Sequence, residues 1–182
     1  MLRIILITVA VLLAVVAALL AYAATKPDTF RVERSILIDA PPEAIYAEIE
    51  DFRRWRAWSP YEELDPNLER DYSGAERGVG ARYAWQGDGN AGSGSMEIRD
   101  AVPASEIVIA LEFTAPMEAS NTAMFTMTPE TGATRLTWAM EGPSSLMFKF
   151  IGIFLDMDKM IGGDFETGLA RMKSNLEKGA AS

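Results

Sequence analysis

An apolar segment of 21 residues, Ile4 to Ala24, constrains this chain more than any other feature. It contains no charged residue and nothing more polar than Thr8 and Tyr22. As a helix rising ~1.5 Å per residue it would just cross the ~30 Å hydrocarbon core of a bilayer. The rest of the chain is mixed in polarity, so we expect a folded domain that is tethered to a membrane or exported through one.

The segment has features of both a signal peptide and an anchor. Met1-Leu2-Arg3 is a minimal basic start, and Ala21-Tyr22-Ala23 is a passable cleavage site. However, the apolar stretch is longer than the ~7–15 residues of a usual signal peptide, which favours an uncleaved anchor. We therefore predict a transmembrane signal anchor over residues 1–24, a linker over 25–29 and one folded domain over 30–182.

The side of the membrane is indicated by two opposing signals. Lys26, Arg31 and Arg34 follow the span, and the positive-inside rule would hold them in the cytoplasm. The very short tail before the span resembles an export signal, and long domains cross the membrane largely regardless of flanking charge. We expect a single-pass protein of the cytoplasmic membrane with its domain on the outer, periplasmic or extracellular side.

Composition excludes several kinds of site. The chain has 17 basic and 26 acidic residues, a net charge of −9, so it is a poor candidate for binding nucleic acid. It has no cysteine and no histidine. This removes disulfides, thiol nucleophiles, Cys-ligated zinc and the usual general base near neutral pH. We therefore predict no metal and no cofactor, and we favour a protein that is not an enzyme.

The domain begins with one strand and two short helices. Phe30 to Ile38 alternates and predicts a strand. Asp39 is predicted to cap the helix that follows, whose first turn holds two prolines. A second short helix is predicted from Phe52 to Tyr61, because the stretch is aromatic and interrupted by Pro60.

From Leu68 the pattern changes to alternation and predicts about six strands, followed by a long helix. Asp156 or Asp158 is predicted to cap that helix and Gly179 to follow it. The helix carries one apolar stripe. Because an antiparallel sheet with one apolar face needs a cover, we expect this helix to lie across the sheet.

Short motifs recur in a characteristic order over residues 30 to 178. They are Trp58-Ser59-Pro60-Tyr61 with Leu64-Asp65-Pro66, Tyr72-Ser73-Gly74, Gly78-Val79-Gly80-Ala81 with Tyr83 and Trp85, Gly92-Ser93-Gly94-Ser95-Met96-Glu97-Ile98, Thr137-Trp138-Ala139-Met140, and Asp164-Phe165-Glu166-Thr167-Gly168-Leu169 with Met172-Lys173. In these motifs the chain resembles the START-like (SRPBCC) superfamily, in the branch labelled polyketide cyclase/dehydrase. An N-terminal membrane segment is typical of that branch.

The resemblance implies an α+β helix-grip fold. In that fold a curved antiparallel sheet of about seven strands wraps around a long C-terminal helix, with two short helices after the first strand and a cavity for a hydrophobic ligand between sheet and helix. The superfamily includes lipid carriers, ligand sensors, co-chaperones and a few cyclases, so the resemblance does not specify a reaction.

Large apolar side chains on strand faces, on the terminal helix and, for Trp58, in the second short helix are the predicted ligand-binding residues. They are Trp58, Tyr83, Trp85, Phe113, Phe125, Trp138, Met140, Phe165 and Met172. An ordinary core would use the same residue types, and it is the resemblance that favours a cavity wall. Asp164, beside the helix stripe, is a weak catalytic candidate, since an isolated buried carboxyl can donate a proton. The alternative for Asp164 is a solvated or Arg-paired side chain.

Two further segments allow alternative interpretations. Gly162-Gly163 lies in the predicted last helix, where glycine is unfavourable, and three interpretations stay open. The pair is a flexible hinge, it allows close packing on a strand, or the helix begins only after Gly163. The apolar stretch Leu146 to Leu155 would dip into the bilayer beside the anchor or form a buried lip of the cavity.

Three functions follow from these patterns. The favoured one is a membrane-tethered binding protein for a small hydrophobic or amphipathic molecule, lipids included. The second is a cyclase, dehydratase or isomerase acting on such a molecule. The third is a protein-interaction or stress-response module whose cavity is incidental.

Overall fold

The structure, a computed structural model, describes residues 1–89 and 91–180. The apolar segment forms helix α1, Leu2–Ala24, with a mean hydropathy of 3.2 over its most apolar window. It is long and apolar enough to cross a membrane, a property that signal sequences share. The N-terminal apolar helix expected from the sequence is therefore present.

The domain is built on one antiparallel sheet in the order β1-β7-β6-β5-β4-β3-β2. Its strands are β1 (Thr29–Ile38), β2 (Glu69–Gly74), β3 (Ala81–Gln86), β4 (Ser93–Val102), β5 (Glu106–Ala115), β6 (Ala119–Glu130) and β7 (Ala133–Pro143). Its helices are α2 (Pro42–Glu50), α3 (Leu146–Ile151) and α4 (Met157–Ala180). The predicted helix-grip architecture is confirmed, because the long α4 lies on a seven-stranded sheet.

Polar contacts attach α4 along β1. The Arg34 guanidinium donates to Asp158 and Glu166, at 2.8 Å each. Further along, the Lys173 ammonium donates to the Leu37 carbonyl at 2.6 Å. Because these bonds follow both elements over several turns, they fix the direction in which the helix crosses the sheet.

The start of α2 differs from the prediction. Its N-cap is Pro41, and no side chain caps it. Asp39 instead donates its backbone N–H to the Glu177 carboxylate at 3.0 Å. Asp39 was therefore wrongly assigned as a cap, because its backbone is used to attach the far end of α4.

The second short helix is two 3₁₀ turns, Phe52–Ala57 and Pro60–Glu63. Pro60 cannot donate a backbone hydrogen bond, so it starts a new turn more readily than it continues the previous one. The first turn is capped by Asp51, whose carboxylate accepts the Arg53 N–H at 2.9 Å.

The limits of α4 also correct the sequence prediction. Asp156 caps it by accepting the Lys159 N–H at 3.0 Å. Gly179 lies inside the helix instead of following it. A start after Gly163 is wrong as well, because α4 begins at Met157.

The core lies between the inner face of the sheet, α2 and α4. Its most deeply buried side chains come from all three layers and are each at most 2% exposed: Ile38, Ile45, Ile49, Ile98, Ile107, Ile109, Phe125, Met127, Leu136, Phe165, Leu169 and Met172. Burial of this kind stabilises a domain by about 1.5–3 kcal/mol for each large side chain.

Candidate functional site

Seven of the nine predicted ligand-binding residues lie in the buried core: Tyr83, and six that belong to α4 or lie beneath it. The six are Trp58, Phe125, Trp138, Met140, Phe165 and Met172. Trp138 stacks on Phe165 with ring centroids 4.1 Å apart and on Phe125 at 5.0 Å. Rings at these separations touch and leave no room for a guest molecule between them.

The other three predicted residues form a row on the neighbouring part of the inner face. Tyr83, Trp85 and Phe113 contact one another in turn, with centroids 5.9 and 5.7 Å apart. Tyr72 extends the row, stacking on Tyr83 at 5.1 Å. Trp85, Phe113 and Tyr72 are only partly buried. The inner face is thus filled beneath α4 and more open at Tyr72, Trp85 and Phe113.

A buried ion pair lies behind this aromatic row. The Glu62 side chain, 6% exposed, accepts from the Arg70 guanidinium at 2.6 Å and from the Tyr83 hydroxyl at 2.7 Å. Burial, with the nearby Glu62 carboxylate, raises the pKa of Tyr83. Tyr83 therefore remains a neutral donor, and its ring is held in a fixed orientation. Sequence reasoning missed Glu62, since it lies in a short 3₁₀ turn with no periodic signal.

Two buried polar atoms have no hydrogen-bond partner among the described residues: the Tyr72 hydroxyl and the Asn121 side-chain oxygen. Both lie in one cross-strand row, since Tyr72 pairs with Tyr83, Tyr83 with Met96, Met96 with Leu111 and Leu111 with Asn121. Buried polar groups in proteins nearly always have a partner, and exceptions often mark sites where a ligand or water binds. These two atoms, at opposite ends of the row, are candidate contacts for polar groups of a ligand.

Sequence reasoning did not select either of these residues. Tyr72 belongs to one of the recognised motifs, and its alternation with Arg70 could have indicated its face. Asn121 gave no signal, because an isolated amide near the start of a strand is common.

Asp164 lies next to Tyr61 at the edge of the ring cluster. It is on the exposed side of α4, yet the partial burial of its carboxyl raises its pKa, and a hydrogen bond from Tyr61 acts in the opposite direction. Burial and the neighbouring carboxylate raise the pKa of Tyr61 as well. The Tyr61 ring also contacts Trp138, with centroids 6.3 Å apart. The carboxyl is thus beside the aromatic cluster without being inside it.

A cleft of about 560 Å³ lies between the linker and the segment that precedes α4. Its walls include Lys26, Phe30, Phe148 and Leu155. Phe30 and Phe148 pack with centroids 5.1 Å apart. Within the Leu146–Leu155 stretch, Phe148, Phe154 and Leu155 therefore line a cleft of the domain. Phe154 and Leu155 are also exposed at its rim, and Leu146 and Met147 are exposed outside it.

Solved structures share this fold at low sequence identity. A protein from Chromobacterium violaceum is 16% identical, with a TM-score of 0.57, covering 84% of this chain and 99% of that one. The Aha1 dimer from Colwellia psychrerythraea is 15% identical, with a TM-score of 0.57 and coverage of 81% and 96%. A protein from Thermobifida fusca is 16% identical, with a TM-score of 0.61 and coverage of 81% and 93%.

No curated protein matches this sequence. A family model described as polyketide cyclase/dehydrase and lipid transport matches residues 29–177. The match spans the whole seven-stranded sheet and almost all of α4. The resemblance read from the motifs is therefore confirmed, and the chain belongs to the polyketide cyclase/dehydrase and lipid transport family.

Proposed function

We propose that this protein binds a small hydrophobic or amphipathic molecule, lipids included, while α1 tethers it to a membrane. The observation that carries the proposal is a pair of unpaired polar atoms at the two ends of one cross-strand row on the inner face. Tyr72 and Asn121 each bury a polar atom that has no partner among the described residues, and the rings of Trp85 and Phe113 on the same face are partly open. Ligand sites of this kind are mostly apolar, with a few polar groups that orient the guest.

The proposal assigns the ligand to the more open part of the inner face. Tyr83, Trp85 and Phe113 would contact its apolar body. The filled cluster around Trp138 would support that wall, with Trp58, Phe125, Met140, Phe165 and Met172 packed behind it. The family description, which includes lipid transport, supports this class of ligand.

Native mass spectrometry of the full chain, released from membranes in mild detergent, tests the proposal. We expect the protein to retain an apolar molecule whose mass is lost on denaturation. The Phe113→Ser variant should retain several-fold less of it, because that ring lies in the proposed wall. Thr114→Ala is the matched control, since Thr114 lies on the opposite face of the same strand. A folded wild-type protein that carries no ligand, and captures a partner protein instead, would favour the interaction-module hypothesis.

A second candidate function is a reaction on the bound molecule, favoured by the Asp164–Tyr61 pair. A carboxyl with a raised pKa keeps its proton closer to neutral pH and so can act as a general acid. Replacement of Asp164 by Asn separates the two functions. Unchanged ligand identity in the Asp164→Asn variant would support binding alone, whereas accumulation of an altered precursor would support catalysis.

We further infer that the domain lies on the outer side of the cytoplasmic membrane. The length of the domain supports this orientation, because long domains cross the membrane largely regardless of flanking charge. Protease added to intact spheroplasts should digest the domain and leave α1. Protection of the domain until the cells are lysed would place it in the cytoplasm.

A further inference from the structure

Helix α3 packs against the end of α1 that is nearest the domain. Two α1 residues lose solvent exposure: Leu19 is partly buried and Ala23 fully buried, and the rest of α1 is exposed. Tyr22 and Lys26 lie at the same level, with the Lys26 ammonium 4.7 Å from the Tyr22 ring centroid. Aromatic and basic residues in this position are typical of the membrane–water interface. If α1 spans a bilayer, α3 therefore lies at its surface.

The segment around α3 exposes large apolar side chains. We call the following residues the α3 patch: Leu146, Met147, Phe154 and Leu155, which are 49%, 58%, 63% and 50% exposed. Lys149 is the only charged residue between positions 146 and 155. Its side chain is 7% exposed, and its ammonium is paired with Asp28. The patch thus presents apolar surface without an unpaired charge.

We propose that the α3 patch inserts into the interfacial layer of the bilayer that α1 spans, as a second attachment of the domain. This inference rests on the tethering part of the proposed function. The occupant is the lipid surface because α3 contacts α1 within the chain, so the patch cannot leave the neighbourhood of the bilayer. Leu146 and Met147 lie on α3, and Phe154 and Leu155 lie in the turn that follows it. The apolar faces of helices that lie on a bilayer are buried about 5–10 Å into the boundary between head groups and acyl chains.

The second attachment fixes how the domain faces the membrane. The packing of α3 on α1 sets the angle between the span and the domain, and insertion of the α3 patch would fix which side of the domain faces the lipid. The cleft lined by Phe30, Phe148 and Leu155 would then lie against the lipid surface. A hydrophobic molecule leaving the bilayer would meet protein there before it met water.

The absence of cysteine makes the chain suitable for site-specific labelling. The full chain is reconstituted in vesicles of phosphatidylcholine and phosphatidylglycerol, carrying one environment-sensitive fluorophore at Met147→Cys or Phe154→Cys. Thr131→Cys is the matched control, since it is an exposed position in the turn between β6 and β7, at the opposite end of the sheet. Val11→Cys, in the middle of α1, reports insertion of the span.

We expect labels at 147 and 154 to emit at shorter wavelength than the label at 131, and to lose several-fold more fluorescence to lipids spin-labelled near the head group. Water-like emission at 147 and 154, with a buried label at 11, would overturn the second attachment and leave the tether standing. Water-like emission at 11 would overturn the tether itself. Shielding at 147 without quenching by lipid would mean that protein covers the patch, and would also overturn the proposal.

A second experiment introduces charge into the patch and places the fluorophore at a different residue from those that are substituted. With the fluorophore at Leu155→Cys, the added changes Met147→Glu and Phe154→Glu should shift its emission towards that of water. Val102→Glu is the control, because Val102 is 50% exposed at the far end of β4. Equal emission in both variants would contradict the inference.

Discussion

At the scale of single residues, two tyrosines on adjacent strands of the inner face differ in the hydrogen bonding of their hydroxyl groups. The Tyr83 hydroxyl donates to Glu62, whereas the Tyr72 hydroxyl is buried and has no partner among the described residues. The two rings stack on each other, but Tyr83 is buried in the core and Tyr72 is partly exposed on the edge strand. A buried polar group without a partner costs about 1–3 kcal/mol, which makes Tyr72 a residue that destabilises the unliganded protein.

We expect Tyr72→Phe to raise the free energy of unfolding by about 1 kcal/mol, because it removes an unpaired hydroxyl and keeps the stacked ring. The same variant should bind the co-purifying ligand more weakly if the hydroxyl contacts it. Thermal unfolding of the full chain in detergent, together with ligand retention in native mass spectrometry, measures both effects.

The matched variant is Tyr83→Phe, which we expect to lower the free energy of unfolding by about 1–3 kcal/mol, because the buried Glu62 carboxylate loses a donor. Equal effects of the two variants on stability would contradict the different roles given to the two hydroxyls. A more stable Tyr72→Phe that binds ligand as well as wild type would remove Tyr72 from the site.

At the scale of the element, two adjacent glycines in α4 have different surroundings. A Cβ on Gly162 would overlap the Arg34 guanidinium, which is held there by Asp158 and Glu166. A Cβ on Gly163 would meet nothing within 4 Å. Close packing against Arg34 therefore explains why position 162 holds glycine, whereas packing gives no reason for glycine at position 163.

We expect Gly163→Ala to raise the free energy of unfolding by about 1 kcal/mol, the gain in helix propensity. The free energy of unfolding of the Gly162→Ala variant should be lower than that of Gly163→Ala by a similar amount. The reason is that the new methyl group would displace the Arg34 guanidinium from its two carboxylates. The comparison is made by thermal or denaturant unfolding of both variants in the same detergent. Equal stabilisation by the two substitutions would show that the contact between α4 and β1 tolerates a methyl group at position 162.

At the scale of the whole molecule, several carboxylates favour the folded state in their charged form. Asp65, 8% exposed, accepts the backbone N–H groups of Asp88 and Asn67 at 2.7 Å each, which lowers its pKa below its ordinary value. Hydrogen bonds from Arg34 to Asp158 and from Asp39 to Glu177 lower the pKa of those carboxyls too. A lowered folded pKa gives stability that is present above the unfolded pKa and is lost as the pH falls through the folded value.

We therefore expect the unfolding free energy to fall below about pH 4, where these carboxylates take up protons. Asp65→Asn should lower stability at pH 7 and reduce its loss in acid, because one of the titrating groups is gone. Unfolding measured from neutral pH to pH 3 tests this, with the exposed Asp71→Asn as control. An acid profile for Asp65→Asn that parallels the wild type would contradict the assignment.

The sequence alone determined the architecture because its signals are periodic and local. Alternation identified the strands, the apolar stripe identified α4, and the uninterrupted apolar run identified α1. The helix caps were less predictable. Asp156 caps α4, but Asp39 caps no helix and donates its backbone N–H to Glu177, which lies more than a hundred residues away in the sequence. Local patterns do not report such long-range contacts.

Only the tertiary structure decided which of the predicted residues are tightly packed and which are partly open. The sequence assigned eight of the nine predicted residues to strand faces or to α4, and the fold packs Trp138 and its neighbours tightly while leaving Trp85 and Phe113 partly open. It also brought Tyr72 and Asn121 into one row across five strands. The physical reason is that periodicity fixes which face a side chain occupies, whereas strand register and the position of α4 fix what each side chain meets there.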